Sequence, residues 1–207
     1  MERVPERHAA FLEAWVRGRT LDVGCGAGAV VGHLARQGHD AVGVDFVSDF
    51  IEYAKATYGG QFVRADAGAL PFDDSAFDTV LAFDLLEHVD DEQVLREMVR
   101  VARDRVVIAV PARTPAAVRE TGLVYGHHED RSHLRYYDEA ALRGLLEGAG
   151  LRVLEVESAD PVNVRLLVRR AVSLGGGLRE RLFFRWLRGA DVAAWPTTLL
   201  AAAERPA

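Results

Sequence analysis

The chain is most constrained by a rhythm. Across most of its 207 residues, short apolar segments suited to strands alternate with amphipathic segments suited to helices. Thr20-Leu21-Asp22-Val23 is a short apolar strand that runs into the glycine turn Gly24-Cys25-Gly26-Ala27-Gly28. Ala29 to Gln37 has helical spacing, with Val30, Val31, Leu34 and Ala35 on one face and Gly38 as its stop. A strand over 40–45 follows, then a helix capped by Ser48 and closed by Gly59-Gly60, and strands over 61–65 and 79–83. Asp90 to Ala102 places Val94, Leu95, Met98 and Val99 on one helical face. Residues 105–110 form a continuous apolar strand closed by Pro111. A helix capped by Asp138, with Leu142, Leu145 and Leu146 inward, precedes strands over 151–156 and 197–202. A further helix is predicted over 6–16. Strands alternating with helices imply right-handed crossovers and a mostly parallel sheet covered on both faces. Ligands of such sheets bind beyond the carboxyl ends of the strands, where strand order reverses. The residues just after each strand therefore matter most.

Composition narrows the class. Hydrophobic residues make up 49% and charged residues 27% of the chain, which suits one packed domain over 1–207 and excludes disordered or collagen-like chains. No apolar run reaches the roughly 18–20 residues of a membrane span. The opening MERVPERHAAFLEAW is charged from residue 2 and is not expected to act as a secretory leader. Cys25 is the one cysteine, which fits a reducing compartment, and a cytoplasmic location is expected. A net charge of −6 argues against nucleic acid as a partner, because phosphate binding needs a basic footprint.

Three acids stand at strand ends. Asp22 sits two residues before Gly24, inside an apolar segment, where a carboxylate needs a cationic group or backbone amides as partner. Gly24 and Gly26 permit a tight turn and close approach of a ligand to the backbone. Gly24-x-Gly26-x-x-Ala29 also fits a dinucleotide-binding turn. Asp45 ends the second strand, where an acid reaches the hydroxyls of an adenosine ribose in either cofactor class. Asp66 follows the third strand, where an acceptor suits the exocyclic amine of adenine.

The motifs LDVGCGAG, GVD, ADAGALPF, FDTVLAFDLLEHV and HLRYY occur in that order, with the turn GAGL before a late strand. The ordered set resembles the class I S-adenosylmethionine-dependent methyltransferases, most closely the small-molecule branch, of quinone and natural-product type, that carries LEHV. The resemblance spans roughly residues 15–158 and the last strand. It implies a Rossmann-like seven-stranded sheet of order 3-2-1-4-5-7-6 with the last strand antiparallel. It implies S-adenosylmethionine as cofactor. By the same resemblance Asp22 lies near the methionine amino group, and Gly24 and Gly26 form the floor beneath the methionine part. Asp45 takes the ribose, Asp66 and its neighbour Ala67 the adenine edge, and Phe83 lines the cofactor. Phe46, directly after Asp45, is placed to pack on adenine. The expected reaction is methyl transfer to a small molecule, with oxygen as the acceptor atom. A nicotinamide-dependent oxidoreductase shares the glycine turn and Asp45 but leaves Asp22 and LEHV unexplained. A non-catalytic cofactor-binding or partner subunit would bind the same cofactor without turnover.

An oxygen acceptor also needs deprotonation or a metal. Two clusters offer it. Asp84, Glu87 and His88 match a set that holds a divalent ion in some relatives, but Asp84 stands where those relatives often carry glutamate, and no metal is expected. His127, His128, Glu129, Asp130 and His133 precede Tyr136-Tyr137 in a segment that the family places beside the acceptor. His133, His128 and His88 are the candidate catalytic residues, since imidazole titrates near neutrality. Cys25 reads as a small residue filling a tight turn. The stretch over about 160–190 is too long for an ordinary loop and carries seven arginines between Asp160 and Arg188. It is expected to be a helical insertion forming a lid. Membrane contact through 178–188 is compatible with its amphipathic pattern but is not the favoured reading.

Overall fold

The apolar segments of the chain pair into one seven-stranded sheet, seen in a computed structural model that describes residues 4–114, 132–162 and 195–206. In chain order the elements are α1 (Glu6–Trp15), β1 (Thr20–Val23), α2 (Ala29–Arg36), β2 (Ala41–Asp45), α3 (Ser48–Tyr58) and β3 (Gln61–Arg64). Then come β4 (Phe77–Phe83), α4 (Asp91–Val101), β5 (Ala102–Pro111), α5 (Glu139–Gly148), β6 (Arg152–Val162) and β7 (Trp195–Glu204). The strand order is β3-β2-β1-β4-β5-β7-β6, with β7 antiparallel to both neighbours. The remaining pairs are parallel. Strand order therefore reverses at β1, between β2 and β4.

The continuous apolar character of the central strands follows from cover on both faces. Along β5, Val106, Ile108 and Val110 face one core with Leu95, Met98, Leu142 and Leu146 of α4 and α5. Val107 and Ala109 face the other, with Phe11, Leu12, Leu34 and Ile51 of α1, α2 and α3. Alternate residues of a strand point to opposite faces, so every position of β5 from Val106 to Pro111 is buried.

Helix ends follow their caps, with one exception. Asp90 and Asp138 accept backbone N–H bonds from Gln93 at 3.0 Å and Ala141 at 2.9 Å, which fixes the starts of α4 and α5. Ser48, expected as a cap, lies instead within the first turn of α3, after Val47. Asp45 Oδ1 accepts the Val47 N–H at 2.8 Å and turns the chain one residue early. The last two strands are longer than the sequence pattern implied, because they pair with each other along nearly their whole length. Pro161 and Pro196 face each other near the far end of that ladder. Pro161 lies on the edge strand and Pro196 near a strand start, positions where a missing N–H is tolerated. Most of the arginine-rich stretch, including 178–188, lies outside the described residues. Among the described residues no helix is long and apolar enough to cross a membrane.

Leu95 is fully buried on α4. Leu95→Ala is expected to cost about 2–5 kcal/mol of stability by chemical denaturation. A loss well under 1 kcal/mol would contradict this packing.

Candidate functional site

The end of β1 builds the site. The backbone N–H groups of Gly24 and Cys25 both donate to Val44 O, at 2.8 and 2.9 Å, stapling the turn to the end of β2. Gly24 has φ +73°, and a Cβ there would lie 2.9 Å from a Leu85 methyl. Gly26 has φ +49° with open space where a Cβ would stand, so its conformation alone favours glycine. The Gly26 N–H donates to Asp45 Oδ2 at 2.9 Å. Each Asp45 oxygen thus accepts one backbone N–H and keeps a lone pair for a ligand.

Asp22 is 2% exposed. Burial, and secondarily the negative charge of Asp45, push its carboxyl up to about 8. The same burial, with Asp22 and Asp45 nearby, raises the Cys25 thiol well above its ordinary range and keeps it protonated. That agrees with a packing role for Cys25.

Two cavities meet at Gly24. One, of about 550 Å³, is lined by Asp22, Gly24, Gly26, Phe83, Asp84 and His8, among others. The other, of about 360 Å³, is lined by Asp45, Phe46, Asp66, Ala67 and Leu85, among others. Phe46 is 65% exposed at that rim, with the Arg64 guanidinium 5.4 Å from its ring centre. The Asp66 loop is held from α4. Glu97 accepts the Leu70 N–H at 2.8 Å, and Arg100 donates to Leu70 O and Phe72 O at 2.9 and 2.7 Å. Asp66 Oδ1 accepts the Gly68 N–H at 2.8 Å, which fixes the carboxylate's direction. All eight residues expected to bind the cofactor therefore line these joined cavities.

In the segment after β4, Glu87 and His88, together with His133, offer ligand atoms within 4.8 Å of one another, with Glu87 fully buried. The His88 and His133 rings sit edge to face at 4.7 Å between centres. Asp84, which matches with Glu87 and His88 a metal-holding set of some relatives, is not part of this cluster, where His133 stands instead. The difference has a structural cause. Residues 132–137 dock onto the loop after β4 through Leu134 N–H to Glu87 O at 2.7 Å and Arg135 to Leu86 O at 3.0 Å. Arg135 pairs with Asp91 at 3.1 Å, and Tyr137 donates to Asp91 Oδ2 at 2.7 Å. His127, His128, Glu129 and Asp130 lie outside the described residues.

One cavity residue escaped the sequence reading. His8 of α1 is 7% exposed, with Nε2 at 2.9 Å from Asp160 Oδ2 of β6 and its ring edge-on to Phe83 at 5.5 Å. Its sequence signal is weak, a polar residue one turn from Leu12 on a short apolar stripe.

A mostly parallel sheet whose order reverses at β1, with a glycine floor there and acids at three neighbouring strand ends, is a Rossmann-like fold of methyltransferase type. The family model described as "Methyltransferase domain" matches residues 21–110. The O-methyltransferase resE of Aspergillus sclerotiorum is 32% identical over 196 residues, covering 87% of this chain and 74% of that protein. A demethylmenaquinone methyltransferase of Roseiflexus castenholzii is 40% identical over 116 residues, covering 53% of this chain. The chain spans 48% of that relative's length. The crystal structure of a putative methyltransferase from Bacillus halodurans superposes with a TM-score of 0.69 at 19% identity, covering 97% of this chain and 98% of that one. The chain belongs to the class I S-adenosylmethionine-dependent methyltransferase family.

The Asp22 environment predicts a pH effect. Its carboxyl is higher in the folded protein, about 8, than the ordinary 3.8 of an exposed group. The folded state therefore holds the extra proton between those values. This group's contribution to ligand-free stability is greatest below about 4 and declines as pH rises toward 8. Asp22→Asn should be more stable than wild type at pH 8 and indistinguishable near pH 4, by denaturation across pH.

Proposed function

We propose that the chain transfers a methyl group from S-adenosylmethionine to an oxygen atom of a small molecule. The observation that carries this reading is the buried Asp22 carboxylate, which meets no hydrogen-bond donor among the described residues, facing a cavity that joins a second one lined by Asp45 and Asp66. The residues fit the cofactor. Asp22 suits a cationic amino group, which would hold it ionised. The open space over Gly26 suits a ligand lying directly on the backbone. Exposed Phe46 offers a face to a flat aromatic ring.

When bound, the cofactor supplies an electrophilic methyl group on a sulfonium. Asp45 takes the ribose hydroxyls with its remaining lone pairs. Asp66 takes the adenine amine with its second oxygen, and Ala67 flanks the ring edge. Phe83 borders the reacting end. Catalysis of in-line displacement rests mainly on holding donor and acceptor together. His88 and His133, buttressed by buried Glu87, hold the acceptor. His128 belongs to the same proposed acceptor side. Oxygen is chosen because resE, similar over most of this chain, is an O-methyltransferase.

One observation favours a second reading of the acceptor side. A carboxylate and two imidazoles within 4.8 Å are a donor set that a divalent ion accepts. Glu87, His88 and His133 would hold such an ion, which would favour ionisation of an acceptor hydroxyl. Thorough chelation separates the two. Surviving activity keeps direct holding, and a loss restored by divalent ions assigns the cluster to metal.

Calorimetry tests the main reading. S-Adenosylhomocysteine should bind and NAD should not, and Asp45→Ala should weaken the former about tenfold or more, the worth of one good hydrogen-bonded contact. Tight NAD binding without S-adenosylhomocysteine binding would overturn it. Binding at pH 7 should also release a proton from Asp22, read by titration in buffers of different ionisation enthalpy.

A further inference from the structure

We propose that His8, oriented by Asp160, is the general base that takes the acceptor's hydroxyl proton during methyl transfer. The inference rests on the proposed function and goes beyond it, since it assigns the proton to a residue outside the acceptor-holding cluster.

Position is the first argument. His8 lines the larger cavity together with Asp22, Gly26, Phe83 and Asp84. Its ring is nine-tenths buried and stands edge-on to Phe83, the residue bordering the reacting end. A histidine so placed is shielded from bulk water on most sides yet open to a ligand in the cavity.

The carboxylate beside it is the second. Asp160 Oδ2 lies 2.9 Å from His8 Nε2, a close approach that falls outside the aligned geometry of a hydrogen bond. Catalytic pairs are often misaligned before substrate arrives and tighten in the reacting complex. Asp160 is one of three non-glycine residues with positive φ among those described, at +50°. That conformation is uncommon outside glycine. Thr197 Oγ1 donates to Asp160 O at 2.8 Å and pins the backbone in it.

The scaffold is the third. Trp15 Nε1 donates to Glu155 Oε2 at 2.9 Å, and Arg7 pairs with Glu157 at 3.4 Å. Both contacts join α1 to β6, so the spacing of His8 and Asp160 is set by two regular elements rather than by a loop.

The chemistry balances. With its proton on Nε2 toward Asp160, His8 presents the lone pair of Nδ1. The acceptor oxygen forms the new O–C bond with its own electron pair. The C–S bond breaks and leaves its pair on sulfur. The O–H proton passes to Nδ1, giving an imidazolium that Asp160 stabilises and that later returns the proton to water. The charged and titratable groups nearest His8 are Asp160 from β6, with Asp22 from β1, Asp84 after β4 and the Cys25 thiol lining the same cavity and the Arg7–Glu157 pair beginning at the adjacent helix residue.

The test has two arms. Long-range ¹H–¹⁵N NMR of the S-adenosylhomocysteine-bound chain at pH 8 should show His8 neutral, with its proton on Nε2, and Asp160→Asn should erase that preference. A proton on Nδ1, or a ring that stays charged, would overturn the proposal without reference to turnover. In the second arm, wild type and variants are given S-adenosylmethionine and a panel of phenols and catechols. His8→Gln should lower kcat by ~10²-fold or more, within the range of general-base catalysis, and remove the acid limb of the pH profile. The loss should fall on kcat measured at saturating S-adenosylmethionine, so that any change in cofactor affinity is kept apart from it. Asp160→Asn should lower kcat by a smaller factor. An unchanged kcat in His8→Gln would overturn the base alone. A wild-type chain that binds S-adenosylhomocysteine yet methylates none of the panel would overturn the oxygen-acceptor reading and the base with it.

Discussion

A carboxylate buried at the end of a parallel strand, beside a second carboxylate on the neighbouring strand, is costly in an empty protein. Asp22 and Asp45 stand in that relation, and the structure around them limits the cost without removing it. Asp45 accepts two backbone N–H groups, while Asp22 is left protonated at neutral pH. The glycine turn that supplies one of those donors is itself fixed by Val44 O. The same few atoms therefore set the turn, the floor of the cavity and the charge that greets a ligand. The sheet reverses its strand order at this place and so opens a cleft above it.

Much of this was visible in the residues. The seven strands, the helices between them and the acids after the first three strands all follow from periodicity and from glycine, aspartate and proline placement. The resemblance supplied the strand order, which periodicity alone does not give. Local pattern failed where long-range pairing decides. The strands expected over 151–156 and 197–202 run on to Val162 and start back at Trp195, because β6 and β7 carry each other. Ser48 looks like a cap until Asp45, three residues earlier, takes over the turn.

The acceptor side was legible in pieces but not as an assembly. LEHV and HLRYY read as separate clusters, with the metal set drawn from neighbours in sequence. The Arg135–Asp91–Tyr137 network brings His133 to Glu87 and His88 instead. No spacing rule anticipates that, because the contact depends on where a long connection lands. His8 and Asp160 are the extreme case, drawn from the first helix and the sixth strand and joined only by the way α1 lies against the sheet.

β6 runs in the same direction as β5, and β7 returns against both. Val162 and Trp195 therefore open onto the rim where the other parallel strands end. These two strand ends stand on the same edge of the sheet as Asp45, the last residue of β2, so the long connection is anchored on the side where the glycine turn and its acids lie, and the antiparallel return of β7 is what brings it there.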